Sequence, residues 1–470
     1  MDDFRGIADR IALDIARGRL RAGQRLPPQR AFARRHGIAA STAGRVYAEL
    51  VRRGLVVGEV GRGTFVRAAQ AAPEGRALVE DGAARVNLEL NYPSVPGQSE
   101  LLAPALAPLL RPDALTAALR PGAADGTPHA REAAAGLLAT GDWRPDPGRV
   151  LFTGNARQAI AATLGSLVRP GGRIGVEPLT YPLVKEITGR LGGTLVPVRT
   201  DEAGPVVESV LAAHRAAPLS ALYLQPTLHN PTSVTVPAER RLQLARAVSD
   251  LGLPVVEDRI WSFLHRGPEP PLAALAPRLV HLVDGLSKRV APGLTVGFAV
   301  VPEDRVAAVA AAVRSGGWSA GAFALEAAVR WIGDGTVARL VAAKREQAAR
   351  RQGLVREVLD GFAVRGDPYG YFAWWELPEP WRADAFTAAA AARGIAVTPG
   401  TAFRVDPKRT PDAVRLGLAS AAEPELVGAL RTLAALAARG PRQPPADGPR
   451  QPPADGPPQP PADGQSSRPS

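Results

Sequence analysis

The sequence predicts two folded units: a small basic helical domain closed by a β-hairpin, and a large α/β domain whose mostly parallel sheet carries a smaller α+β lobe. Three observations predict this. A chain of 470 residues, nearly half apolar and about a fifth charged, has core enough for two globular units. Its net charge of +12 is uneven, with 13 Arg against 6 acidic residues in the first 66. From about residue 149, short apolar runs alternate with Ala/Leu-rich helical stretches, the pattern of a sheet covered on both faces.

In the first unit, Ile7, Ile11 and Ile15 recur at helical spacing and Gly18 stops the run. A turn-rich stretch, 19–28, leads to a short helix over 29–36 that Gly37 breaks. Ser41 and Thr42 are expected to cap a third helix, with Ala43, Val46, Tyr47 and Leu50 as its buried stripe and Arg45 and Glu49 off it. Residues 55–57 and 64–66, separated by Gly58, Gly61 and Gly63, read as two short strands. The order is helix, helix-turn-helix, β-wing, and its basic charge fits a phosphate backbone, although a solvated arginine-rich face would give the same charge count.

Residues 68–84 have no core pattern and read as a linker. The large unit follows, with strands expected at 150–152, 173–176, 221–224, 254–257, 280–283 and 296–301, and a smaller lobe from about residue 345 with strands near 371–376 and 414–418. The domain limits are therefore 1–67, 68–84, 85–438 and a tail, 439–470, in which Gln-Pro-Pro-Ala-Asp-Gly recurs three times at a period of eight residues. The tail is expected to be disordered. No apolar run is long enough for a membrane span and the start, Met1-Asp2-Asp3, lacks the basic-then-apolar pattern of a signal peptide, so a cytoplasmic protein is expected. The absence of cysteine excludes disulfides, zinc-thiolate sites and thiol nucleophiles, and no metal site is expected.

The large unit carries four lysines among 57 basic residues: Lys185, Lys288, Lys344 and Lys408. Arginine cannot form a Schiff base at neutral pH, so a lysine in an arginine-rich chain is informative where chemistry needs an amine that can lose its proton. Lys288 follows the strand at 280–283 in a small-residue turn, Asp284-Gly-Leu-Ser-Lys-Arg-Val-Ala-Pro-Gly-Leu294, where ligands gather in open α/β sheets. Taken alone it reads better as a surface lysine in a strand-end loop. Its companions change that: Asp258 at a strand end, where a carboxylate can pair with a pyridinium nitrogen; Asn230, a donor for a phenolate oxygen; Gly154, Ala156 and Arg157 opening a helix whose amides can hold phosphate; Tyr181, able to stack on a ring; and Arg415, a bidentate grip for a carboxylate. Singly, Asp258 reads as a helix cap and Arg415 as a surface cation.

Two sets of motifs carry a family resemblance. Arg21-Ala-Gly-Gln-Arg-Leu-Pro-Pro-Gln-Arg30, His36-Gly-Ile-Ala-Ala-Ser-Thr42 and Gly61-Arg-Gly-Thr-Phe-Val66 resemble the winged helix-turn-helix of GntR-family regulators. Ser287-Lys288 with Ala291-Pro-Gly-Leu294, Asn230-Pro-Thr232 and Thr398-Pro-Gly-Thr-Ala-Phe403 resemble fold-type I aminotransferases. In tandem they resemble the MocR subfamily of regulators. The resemblance implies that Arg30, Ser41, Thr42, Arg45, Arg62 and Gly63 face double-stranded operator DNA. It also implies pyridoxal 5'-phosphate (PLP) held as an internal aldimine on Lys288, with Asp258, Asn230, Tyr181, Gly154, Ala156, Arg157, Ser287 and Arg289 around it and Arg415 for the carboxylate of an amine or amino-acid effector. A head-to-tail homodimer is implied too. An active aminotransferase carrying a DNA-binding domain is the alternative. The chain departs from the pattern at Ala40, where the family often has arginine. It departs again at Thr295, the place of the phosphate arginine, at Gly285 and at Ile260-Trp261, which leaves phosphate to the amides of residues 156 and 157, Ser287, and either Arg289 or Arg157.

Overall fold

The computed structural model describes residues 4–16, 19–20, 23–52, 55–59, 63–66, 84–406 and 411–441. Gly18, Arg62, the linker stretch 68–83 and the repeat tail from 442 onward lie outside the described residues.

The first unit is three helices, α1 (Phe4–Ala16), α2 (Gln29–His36) and α3 (Ala40–Arg52), followed by the antiparallel strands β1 (Val56–Glu59) and β2 (Gly63–Val66). Ile7, Ile11 and Ile15 of α1 meet Phe32 of α2 and Val46, Tyr47 and Leu50 of α3 in one small core. Gly37 ends α2 in the left-handed region, φ 61°, and its N–H donates to the carbonyls of Ala33 and Arg34. Two expectations are corrected. Helix α3 begins one residue early, because the Ala39 carbonyl already accepts from Ala43 N–H, so Ser41 and Thr42 lie inside the first turn and do not cap it. Glu49, expected off the buried stripe, is buried. The stretch from Gly23 to Leu26 pairs with the wing, with Leu26 N–H donating to the Thr64 carbonyl and Gly23 N–H to that of Val66.

The large lobe is built on seven strands: β4 (Val150–Thr153), β5 (Arg173–Val176), β6 (Thr194–Pro197), β7 (Ala221–Leu224), β8 (Val255–Asp258), β9 (Val280–Gly285) and β10 (Gly297–Val300). Their spatial order is β4-β10-β9-β8-β7-β5-β6, parallel except for β10, which runs antiparallel to β9 and β4. Alternate residues enter opposite cores: Leu222, Val255 and Leu282 on one face, Tyr223, Val256 and Val283 on the other. The missed strand, β6, is the edge strand; its half-exposed Thr-Leu-Val-Pro lacks the apolar run that betrays the buried strands.

Reversal of β10 brings its first residue against the turn after β4. A Cβ on Gly297 would stand 2.3 Å from the Asn155 carbonyl carbon and 2.3 Å from Thr153 Oγ1, so only glycine fits. That contact holds the turn before α4 (Ala156–Leu167) beside the turn after β9, which carries α5 (Leu286–Arg289).

Helix α6 (Thr336–Val358) runs from one lobe to the other. Val337 and Leu340 pack in the large-lobe core, Val355 in that of the small lobe. The small lobe contains β11 (Val364–Arg365), β12 (Phe372–Glu376), β13 (Ile395–Ala396), β14 (Thr398–Pro399) and β15 (Ala413–Gly417), closed by the helix Glu423–Arg439. Its sheet order is β11-β12-β15-β14. A short strand near the start of the large unit, β3 (Val86–Asn87), pairs in parallel with β13, and Val86 and Leu88 enter the small-lobe core. The small lobe is thus discontinuous in sequence, which the linear reading from about residue 345 did not anticipate.

Gly297→Ala is expected to destabilise the protein by about 3 kcal/mol, because the Asn155 carbonyl is backbone and cannot move aside cheaply. Urea denaturation of the purified variant checks this, and an unchanged midpoint would contradict the packing.

Candidate functional site

The C-terminal ends of β7, β8 and β9, the start of α4 and the small-lobe strand β15 converge on one cleft of about 280 Å³. Lys288, Asp258, Asn230, Tyr181, Ala156, Arg157, Ser287 and Arg415 all line it. Residues far apart in the chain thus arrive at one place because the parallel strands end at one edge.

Lys288 sits on α5, immediately beyond β9. Its Nζ donates to the Asn91 carbonyl at 2.7 Å and faces the rings of Tyr92 and Trp261 at 4.5 and 5.1 Å. Burial, then the positive charges of Arg157, Arg415 and Lys344, bring its pKa down to about 7. Much of the amine is therefore neutral, and nucleophilic, near neutral pH.

Asp258 ends β8. Its Oδ2 accepts from Tyr223 Oη at 2.6 Å and Gln225 Nε2 at 2.8 Å, and its Oδ1 accepts from Ile260 N–H at 3.0 Å. Burial pushes its pKa up, and the three donors only partly offset this. A buried anion so placed is stabilised by a ligand cation. Gln225 Oε1 also accepts from Asn230 N–H at 3.2 Å, so one amide fixes both Asp258 and Asn230. Asn230 Oδ1 is buried with no hydrogen-bond partner.

At the other end, Asn155 caps α4 by accepting from Gln158 N–H at 3.1 Å, and the amides of Ala156 and Arg157 begin the helix at the cleft. The Arg157 guanidinium lies beside the phenols of Tyr181 and Tyr92. Arg415 projects from β15; its Nη2 donates to Thr398 Oγ1 at 2.8 Å and the Glu89 carbonyl at 2.6 Å, while its Nε has no partner. Burial lowers its pKa to about 10.

Two sequence candidates fall outside the cleft. The Arg289 guanidinium turns away and binds both oxygens of Asp284 and the Gly285 carbonyl, so of the two arginines left open for a phosphate Arg157 is the one that lines the cleft. Gly154 N–H already donates to the Trp318 carbonyl at 3.0 Å, and the residue does not line the cleft. Thr295, standing where the family places its arginine, has a buried Oγ1 without a partner.

Sequence reasoning missed Tyr92, Gln225, Tyr223 and Lys344. The first three carry no signal that a single sequence reveals. Lys344 did: it is one of four lysines, and its fully buried Nζ donates to the carbonyls of Lys288, Arg289 and Val290 at 3.1, 3.0 and 2.7 Å.

In the first unit, Arg30, Ser41 and Arg45 are exposed, Thr42 and Gly63 partly so, and the Arg45 guanidinium rests 4.2 Å over the Phe4 ring. Arg62 is outside the described residues. Among the described residues no helix is long and apolar enough to cross a membrane, and no cluster of His, Cys, Asp and Glu could hold a metal ion.

Comparison with known proteins agrees with both halves. Residues 86–433 match the family model for aminotransferase class I and II, and residues 4–66 that for bacterial regulatory proteins of the gntR family. The HTH-type transcriptional regulator YdeF of Bacillus subtilis is 30% identical over 417 residues, covering 88% of this chain and 90% of YdeF. Among solved structures, an archaeal alanine:glyoxylate aminotransferase superposes with a TM-score of 0.70 at 20% identity, covering 84% of this chain and 94% of its own. LysN, the α-aminoadipate aminotransferase of Thermus thermophilus, complexed with N-(5'-phosphopyridoxyl)-L-leucine, gives 0.69 at 23% identity, covering 78% and 94%. At these identities the structures share the fold. The cofactor of that fold is PLP, and the cleft fits it: an amine at Lys288, a buried carboxylate with a raised pKa at Asp258, an amide whose N–H can donate at Asn230, and a helix start with a guanidinium at Arg157. With a body belonging to the class I and II aminotransferases behind a GntR helix-turn-helix, the chain is a transcriptional regulator of the MocR subfamily.

Proposed function

We propose that the protein binds PLP covalently through Lys288 Nζ, senses an amine or amino acid in the same cleft, and changes its hold on operator DNA in response. The observation that carries this is the Lys288 amine, with a pKa down to about 7, facing a cleft where Asp258, Arg157 and Arg415 also converge. When bound, PLP supplies an aldehyde that an amine can attack and a ring that withdraws electrons.

This chain's own residues do the rest. The neutral Lys288 amine is the nucleophile. Asp258, kept in place by Tyr223 and Gln225, would hold a proton on the pyridine nitrogen. The α4 amides and Arg157 would take the phosphate, and Arg415, with its free Nε, the effector carboxylate. Arg415 stands on the small lobe and Lys288 on the large one, so a ligand that touches both favours one spacing of the lobes. Such differential binding is what a conformational response requires.

For DNA, α3 would offer Ser41, Thr42 and Arg45 to a major groove, with Arg30 for phosphate and Gly63, at the start of β2, toward the minor groove. A homodimer, head to tail, is supported by exposed apolar side chains at Leu110, Leu115, Leu119, Leu294 and Phe323, Leu294 lying just beyond the cleft residue Pro292.

Three outcomes are expected. Purified protein takes up PLP with a visible absorbance band, and borohydride followed by peptide mass spectrometry places the phosphopyridoxyl group on Lys288; Lys288→Ala loses both. Failure of the wild type to bind PLP would overturn the reading, and steady keto-acid release from amino acids would make the protein an enzyme. The sign of the pH effect follows from the lowered pKa: the amine is neutral above about 7, so the uptake rate rises about tenfold per pH unit below that value and flattens above it. Stopped-flow absorbance reads this.

Arg157→Met is expected to weaken PLP binding by about 1.5–3 kcal/mol through loss of a charge-assisted contact. Arg289→Met instead strands the Asp284 carboxylate and lowers folding stability by about 3–5 kcal/mol. Equilibrium PLP titration and denaturation separate the two, and equal PLP loss with unchanged stability at Arg289 would reverse the assignment. Arg30→Ala is expected to weaken binding to a duplex selected from random sequence by the wild type, and to lower the salt slope by about one ion. Filter binding across a salt series tests it.

A further inference from the structure

The short helix α5 that carries Lys288 spans four residues, too few to hold itself, and its carbonyls need partners from elsewhere. The Leu286 carbonyl accepts from Val290 N–H and the Val290 carbonyl from Gln98 Nε2, but one side chain serves three carbonyls at once. Lys344, from the middle of α6, is fully buried and directs its ammonium at three successive carbonyls, those of Lys288, Arg289 and Val290. An ammonium has three donors and all three are used. Among the described residues no carboxylate is paired with it, so this cation is buried against backbone dipoles alone. A lysine serving only to fill space would be a costly choice, because methionine has a similar shape and no charge to desolvate.

The anchor behind Lys344 is firm. Tyr371 Oη donates to the Lys344 carbonyl at 2.8 Å and lies 2.7 Å from Gln347 Oε1. Further along α6, Arg351 donates to the carbonyls of Leu418 and Ala421, and Gln352 to those of Gly370 and Phe372. All four carbonyls belong to the small lobe that carries Arg415. On the opposite side, the Asp284–Arg289 pair ties α5 to β9.

We propose that Lys344 is a positioning residue of the cofactor site: by hanging the Lys288 turn from α6 it fixes the attachment amine relative to Arg415. This rests on Lys288 being the cofactor lysine. Lys344 touches neither cofactor nor effector and acts through the backbone of residues 288–290. Burial brings its own pKa down to about 7, and in its protonated form it also disfavours a second cation at Lys288 Nζ.

The test uses the full chain with Lys344→Met and Lys344→Gln, and PLP as the probe. Three quantities are read: the pH midpoint of the visible band, the PLP dissociation rate after dilution, and the thermal melt of the cofactor-free protein. Both variants remove the ammonium, so both raise the midpoint. Lys344→Met also speeds dissociation roughly tenfold, through loss of the carbonyl contacts. Lys344→Gln, whose amide can still donate to two carbonyls, returns dissociation toward wild type. That split is what a packing role would not produce. A Lys344→Met variant with the wild-type midpoint and dissociation rate overturns the proposal. So does loss of a cooperative melt in both cofactor-free variants, which would assign Lys344 to the fold alone. If the wild type shows no PLP-dependent band, the Lys288 reading itself falls, a different result from the variants matching a PLP-loaded wild type.

Discussion

The cleft gathers three basic side chains, Lys288, Arg157 and Arg415, against two carboxylates, Asp258 and Glu89, and that excess governs the design around it. Arg157 and Arg415, with Lys344 behind the Lys288 turn, lie close enough to depress the Lys288 pKa. Buried cations repel, and each forfeits hydration, so such a cluster persists only where dipoles and ligands compensate. Here the protein supplies carbonyls: that of Asn91 to Lys288, that of Glu89 to Arg415, and three to Lys344. A ligand bearing a phosphate and a carboxylate would supply the rest. The charge balance therefore points to an anionic occupant independently of any family likeness.

The negative side of the balance is handled with equal economy. Asp284 sits under α5, fully committed to Arg289, and so cannot quench Lys288. Asp258 is held by neutral donors, Tyr223, Gln225 and the Ile260 amide, and stays available to a cation. Two carboxylates at neighbouring strand ends thus have opposite duties, one sealed by an arginine and one left open. Arg289 and Lys288 are adjacent in sequence, yet one belongs to the scaffold and the other to the cleft.

Much of this was legible in the sequence, for reasons that differ by element. Helix α2 and its Gly37 stop were read at the right residues because the left-handed position demands glycine, and the buried strands β5 and β7 because both faces are covered and their runs are continuously apolar. The start of α3 was misplaced because Ser41 and Thr42 are strong caps by type, whereas Ala39, which has no side-chain signal, provides the carbonyl. At the site, Lys288, Asp258, Asn230 and Arg415 were readable because each ends or follows a recognisable strand or motif. Gln225 was not, since its importance lies in three simultaneous contacts and no linear pattern encodes them. Arg289 was misread because sequence gives proximity to Lys288 but not direction.

The pairing of β3 with β13 has one more consequence. Val86 N–H donates to the Gly394 carbonyl and Leu88 N–H to that of Ala396, which joins the start of the large unit to the lobe that bears Arg415. Under the proposed response to a ligand, a rotation of that lobe would carry Val86 with it, without a relay through the large sheet. The first unit touches the same lobe a second time, where the Arg382 guanidinium lies 4.3 Å over the Phe65 ring, so both of these contacts would feel a displacement at Arg415.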